Sequence, residues 1–354
     1  MRAEQSGASP TQEAPTDLTS SATVELTPGF RSRGTRILSQ LLFAPWAGVL
    51  IALVILCVGL TFYTSSFLTT SNIFGNVALY FSWIAIAGFG EAIVMIGGGL
   101  DLSVGSTMGL TGMVSTLALV HGSSVEVALL EGLGTGVAVG LVNGLVVTRI
   151  GLNPFIATLG TLSAIRGLTY GLVQGAIETP QSNGAGHAFT NLGAGTIGEV
   201  PYPVIIMLGI GILCTLFLNV TPWGRYVYAI GGNQQTSRML GLHVDRMKVL
   251  MYVISGVLAA VGGILLAAQA GSALPDAATG YELDIIAAVI IGGTSLAGGR
   301  GTVPGVLIGA AFLGVIQNGI ILAGLASYWQ QLIVGIVIVL AASIDILRRR
   351  LSVF

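Results

Sequence analysis

Long apolar runs separated by short polar connections fill this chain from near residue 41 onward. A helix needs roughly 20 residues to cross about 30 Å of hydrocarbon. About ten runs approach that length, at 41–63, 73–97, 102–120, 126–148, 154–174, 201–220, 248–270, 283–297, 302–322 and 329–347. The eighth is short and is expected to be broken or re-entrant. Residues 1–30 have no periodic apolar character and are rich in Ser, Thr, Pro, Gln and Glu. They read as the bulk of a disordered tail over 1–36, not as a cleaved leader, because the first long run is too long and too far into the chain. The pattern therefore predicts an all-α integral membrane fold. One transmembrane domain spans 37–347, its largest inner connection lies at 221–247, and a basic tail follows at 348–354.

Charge sets the expected orientation, since cytoplasmic connections collect Lys and Arg. With the N-terminus inside, Arg31, Arg33, Arg36, Arg149, Arg225, Arg238, Arg246, Lys248, Arg300, Arg348, Arg349 and Arg350 all fall on the inner side. Arg2 joins them in the tail, and Arg166 alone lies in the interior of a run. The outer connections carry Glu126, Glu178, Glu199, Asp276 and Glu282 and no basic residue. Both termini are thus expected in the cytoplasm.

Composition agrees. Only 8% of residues are charged against 53% hydrophobic, where soluble domains carry about 25% charged residues. A net charge of −1 supplies no basic field for nucleic acid. Cys57 and Cys214 sit in apolar runs and read as small core residues. His121, His187 and His243 lie far apart in or near connections, and no catalytic or metal-ligating constellation is visible. The chain therefore reads as a transport component with no metal site and no enzymatic centre.

The glycines, 52 of 354 residues, fall inside apolar runs. Gly132, Gly136, Gly140 and Gly144 repeat every fourth residue, as do Gly301, Gly305 and Gly309, and each set makes a smooth stripe for close helix packing. The stretch Gly97-Gly98-Gly99-Leu100-Asp101-Leu102-Ser103-Val104-Gly105 ends one helix and starts another, with Asp101 as a capping carboxylate. A parallel stretch holds Gly292, Gly293, Gly298, Gly299 and Gly301. Each reads either as a capped junction or as a hinge or gate at the inner mouth of a pathway. The second is not a phosphate loop, because Arg300 is followed by Gly301 and not by a Lys-Ser/Thr ending.

Within 221–247, Gly232 and Asn233 precede Gln234-Gln235-Thr236-Ser237-Arg238-Met239-Leu240, and Gly241 follows. This predicts a short helix parallel to the membrane, with Asn233 as N-cap and Gly241 as stop. Its apolar side, Met239, Leu240 and Leu242, suits either an interfacial helix or a docking knob for a partner. Glu91 is an ionisable group inside the second run, by default a functional feature. It either lines a pathway or pairs across the bundle, with Arg166 as a candidate partner. Asn143, Gln174, Gln269, Gln317 and Asn318 either hydrogen-bond a hydroxyl-rich solute or join helices. Asn143-Gly144 and Asn318-Gly319 further suggest a faint inverted repeat relating the fourth run to the ninth.

At Gly98–Ser106, Asn153–Gly160, Gly232–Gly241, Gly280–Gly301 and Asn318-Gly319 the chain resembles the permease subunits of bacterial ABC importers for sugars of the ribose, xylose and galactose type. The similarity extends over roughly residues 45–347. Glu91 departs from the pattern, since such relatives often carry an apolar residue there. The resemblance implies a multi-pass inner-membrane subunit working beside a second permease chain, identical or not. It implies a cytoplasmic ATPase that holds ATP and Mg, so that none is bound by this chain, and an extracytoplasmic sugar-binding protein that carries most of the specificity. Gly232, Asn233, Gln234, Arg238, Leu240 and Gly241 would form the ATPase-coupling element. The Gly-rich junctions would let the second, third, eighth and ninth spans tilt during alternating access. An ion-coupled secondary transporter is the rival reading.

Overall fold

The computed structural model describes residues 46–326, 329–333, 335, 336 and 339. The expected tails at 1–36 and 348–354, and most of the run at 329–347, lie outside the described residues.

Helix α1 covers Ala47–Tyr63, α2 Thr70–Ile96, α3 Val104–Val120, α4 Val125–Ile150, α5 Pro154–Val173 and α6 Gly184–Ala194. A two-residue hairpin, β1 (Thr196–Ile197) and β2 (Val200–Pro201), pairs Thr196 with Pro201 and Ile197 with Val200. It leads into α7 Tyr202–Val220, α8 Pro222–Gly232, α9 Gln234–Met239, α10 Val244–Ala270, α11 Tyr281–Ile291 and α12 Val303–Leu322. Among the described residues, α2, α4, α5, α7, α10 and α12 are long and apolar enough to cross a membrane, while α1 and α3 are shorter apolar helices.

The eighth run, read as 283–297, forms a helix of only 11 residues that stops at Gly292. At 1.5 Å per residue it rises about 16 Å, roughly half the hydrocarbon thickness. Two helices also occupy segments that the apolar pattern left as connections. In α6, Asn183 Oδ1 accepts from Gly186 N at 2.9 Å, and in α8, Thr221 Oγ1 accepts from Gly224 N at 3.1 Å. Both are 11 residues long, too short and too mixed in polarity for a membrane-length window to register.

At the centre, α2 and α10 pack together, and α2 is buried on every side from Ser82 to Ile96. Glycine allows that approach. A Cβ on Gly90 would lie 2.8 Å from Ser255 Cα. The stripe on α4 faces α10: a Cβ on Gly140 would overlap Tyr252 O and sit 2.7 Å from Val253 Cα, and Gly136 opposes Gly256 backbone to backbone. Gly305 and Gly309 press in the same way on Gly292 and Ala288 of α11. Around this core, α1, α4, α5 and α7 turn large apolar side chains outward, among them Ile55, Phe62, Leu130, Ile156 and Leu213. In water such a belt would drive aggregation, whereas lipid is its natural solvent.

Candidate functional site

The two Gly-rich stretches form the same turn. After α2, Gly98 N donates to Met95 O and Gly99 N to Val94 O, each at 2.9 Å. After α11, Gly293 N donates to Ile290 O at 2.9 Å and Thr294 N to Val289 O at 3.1 Å. Each is a Schellman ending, and each needs a left-handed residue, supplied by Gly98 at φ +77° and Gly293 at φ +89°. The two endings then meet. Gly299 N donates to Ile96 O at 2.8 Å, and a Cβ on Gly298 would lie 3.0 Å from Gly98 Cα. Gly231, the penultimate residue of α8, wedges between them: a Cβ there would overlap Ile96 O and approach Gly299 N to 2.6 Å. Tyr228 Oη donates to Gly301 O at 2.8 Å and closes the same contact. Three backbone segments far apart in sequence are thus joined with no side chain between them.

Helix α9 is rooted in this junction. Asn233 Oδ1 accepts from Thr236 N at 2.9 Å, the cap read from the sequence, and Gly241 at φ +82° ends the segment. On its other side Arg238 pairs with Asp245 at 2.5 Å, and Lys248 Nζ donates to Gln234 Oε1 at 2.7 Å, which fixes α9 to the first turns of α10. Met239 and Leu240 remain 75% and 77% exposed.

Deeper in the bundle, Asp101 and Ser103 belong to a fully buried polar network. Asp101 Oδ1 accepts from Ser103 N at 3.0 Å, Ser103 Oγ at 2.6 Å and Asn143 Nδ2 at 3.4 Å, while Oδ2 accepts from Ser255 Oγ at 3.2 Å. Asn143 Nδ2 also donates to Ser103 Oγ at 2.8 Å, and Asp101 N donates to Glu91 Oε1 at 3.2 Å. The carboxylate therefore organises the turn before α3 rather than the first turn of that helix. Glu91 is tied to this turn and not to Arg166, whose Nη1 donates to Pro275 O at 3.1 Å and Ala277 O at 2.7 Å. Gly105 lies apart from the junction, against Ala278 O and the Glu282 carboxylate. No signal in the sequence marks Ser255 or Tyr252, whose Oη donates to Leu100 O at 3.2 Å; only the packing of α10 brings them in.

The four residues singled out as pathway candidates separate into two pairs. Glu91 and Asn143 sit in the buried network, while Gln317 and Asn318 line a cavity of about 420 Å³ among α2, α10, α11 and α12. Asn318 there exchanges amide bonds with Asn72 at 2.8 and 2.9 Å and so joins two helices. Gln269 lines the same cavity. Among the described residues no group of three or more His, Cys, Asp or Glu could hold a metal ion.

A bundle of apolar spans, a buried polar core and an exposed helix rooted on helix junctions define a polytopic α-helical membrane protein. Residues 73–342 match the family described as branched-chain amino acid transport system / permease component, and the chain belongs to that family. It is 39% identical over 296 residues to the ribose import permease protein of Escherichia coli (strain K12), covering 84% of this chain and 92% of that protein. The D-allose transport system permease protein of the same strain is 34% identical over 280 residues, 79% of this chain and 84% of that protein. The fructose import permease protein of Rhizobium meliloti is 35% identical over 269 residues, 74% of each chain. No solved structure matches. The resemblance to sugar-importer permeases read from the sequence is borne out, as is the multi-pass inner-membrane location.

Proposed function

We propose that this chain is the membrane-spanning permease of an ATP-binding-cassette importer that moves a monosaccharide or similar polyol into the cell. The observation that carries the coupling part of the reading is α9, six residues long, with Met239 and Leu240 exposed and its root wedged between the endings of α2 and α11. An apolar pair on a short, doubly anchored helix suits docking into a cleft on another protein. The sugar class is supported by the relatives, whose names specify ribose, D-allose and fructose import.

In this reading a separate ATPase chain, which binds ATP and Mg, pushes on α9 as it closes. Gly231 passes the displacement to Ile96 and Gly299 through backbone contact, which a flexible side chain would absorb. The junctions at 97–99 and 292–301 let α2 and α11 tilt, while the bonds around Asp101 keep the turn before α3 intact. A second permease chain completes the pathway, and an extracytoplasmic binding protein delivers the solute. Met239→Asp with Leu240→Asp tests the coupling assignment in cells carrying the complete transporter. Both side chains are exposed, so membrane levels should match the wild type while uptake of labelled D-ribose falls at least about tenfold, the effect of losing about 1.4 kcal/mol of docking. Undiminished uptake would overturn the assignment.

A further inference from the structure

Glu91 is a fully buried carboxyl group with no cation beside it. The helices packed against α2 are α7, α8, α10, α11 and α12. No Lys or Arg lies on α2, α7, α11 or α12. Arg225 of α8 and Arg246 of α10 are exposed, and Lys248 of α10 donates to Gln234. The titratable groups that face Glu91 are Asp101, from the turn before α3, and Tyr252, from α10. The other acids on these helices are Asp245, paired with Arg238, and Glu282 and Asp284 in the first turn of α11. The remaining titratable side chains there are tyrosines and Cys214.

Hydrogen bonds divide unequally between the two carboxyl groups. Asp101 accepts four, from Ser103 N, Ser103 Oγ, Asn143 Nδ2 and Ser255 Oγ. Glu91 accepts one, from Asp101 N to Oε1 at 3.2 Å. Its Oε2 and the neighbouring Asn143 Oδ1 are buried acceptors with no donor, and no water molecule can reach either atom. An unpaired charge in such a place is costly, and two carboxylates side by side cost more. The four donors compensate a negative charge on Asp101, while nothing compensates one on Glu91. A proton on Glu91 removes the second charge and brings a donor to a network short of donors. We infer that Glu91 holds a proton whenever the turn before α3 is closed, and that loss of this proton to water opens the turn. The turn is then a pH-sensitive joint, and Gly97, Gly98 and Gly99 connect it directly to the glycine junction.

Glu91→Gln keeps the shape and the Oε1 acceptor but cannot ionise. Infrared difference spectra of the full-length chain in lipid nanodiscs at neutral pH, wild type minus Glu91→Gln, should show the band of a protonated carboxyl group. The same band should persist in Asp101→Asn. Thermal unfolding of the two chains then reads the linkage. The unfolded chain releases the Glu91 proton above the ordinary carboxylate range, whereas the folded chain keeps it. The stability this proton supplies is therefore complete at acid pH and declines as pH rises, by up to about tenfold in the folded-to-unfolded ratio per pH unit. The melting temperature of the wild type should fall relative to that of Glu91→Gln as pH is raised from about 6 to about 8. A difference spectrum without the band, loss of the band in Asp101→Asn, or parallel pH profiles in the two chains would overturn the assignment. Neither measurement depends on the solute carried or on a partner chain.

Discussion

The two ends of this bundle are built from opposite materials. At the end carrying α9, backbone touches backbone: Gly231 against Ile96 and Gly299, Gly298 against Gly98. At the other end, Trp83, Tyr80, Tyr281, Gln269 and Gln317 surround open space. The first leaves no slack, so a push on one segment reaches the next at once. The second leaves a gap, so a small addition there meets nothing: a Cβ on Gly75 would have no atom within 4 Å. Between them, Asp101 accepts four hydrogen bonds and holds a turn in place. The same residue classes, glycine and uncharged polar side chains, form a close contact at one end and line an open cavity at the other, according to whether their neighbours close the gap.

The comparison breaks most readily where backbone contact is tightest. Gly140→Leu would drive a side chain into Tyr252 and Val253 of α10, and overpacking against backbone has no rotamer escape. The chain should then fail to reach normal membrane levels, as read by immunoblot of the membrane fraction; wild-type levels with wild-type transport would discard the packing account. Asp101→Leu removes an acceptor from Ser103, Asn143 and Ser255 together, and should destabilise by about 3 kcal/mol. Thermal unfolding in detergent measures this. Asp101→Asn, which keeps one oxygen, should lose less.

A smaller contrast sharpens the difference between the two ends. Gly231→Ala meets Ile96 O, and should destabilise by about 1–3 kcal/mol. Gly75→Ala, beside the cavity with nothing within 4 Å of the added Cβ, should change stability by no more than about 0.5 kcal/mol. Equal melting shifts in the two variants would show that the ends do not differ in packing.

Much of the helical layout was legible because apolar runs of membrane length follow directly from composition. The span read as 154–174 emerges as Pro154–Val173, and 201–220 as Tyr202–Val220. Asn233 and Gly241 could be read as cap and stop because capping depends on three or four consecutive residues. The helices α6 and α8 escaped notice because they are too short for a hydropathy window. The stripe Gly132–Gly144 announced a close contact, but nothing in it identified Gly256 as the opposing residue.

The chain by itself determined membrane residence, the approximate spans, the glycine stripes and the capped helix at 233–241, since each depends on local composition or on neighbours within a turn. Tertiary structure alone decided that the glycines at 98, 231 and 298–299 meet, that Glu91 turns to Asp101 and not to Arg166, and that Gln317 faces a cavity while Asn143 sits in a buried network. These pairings span from ten to about two hundred residues. A helical pattern states which faces are apolar or smooth, but which faces meet is settled only when the whole bundle packs.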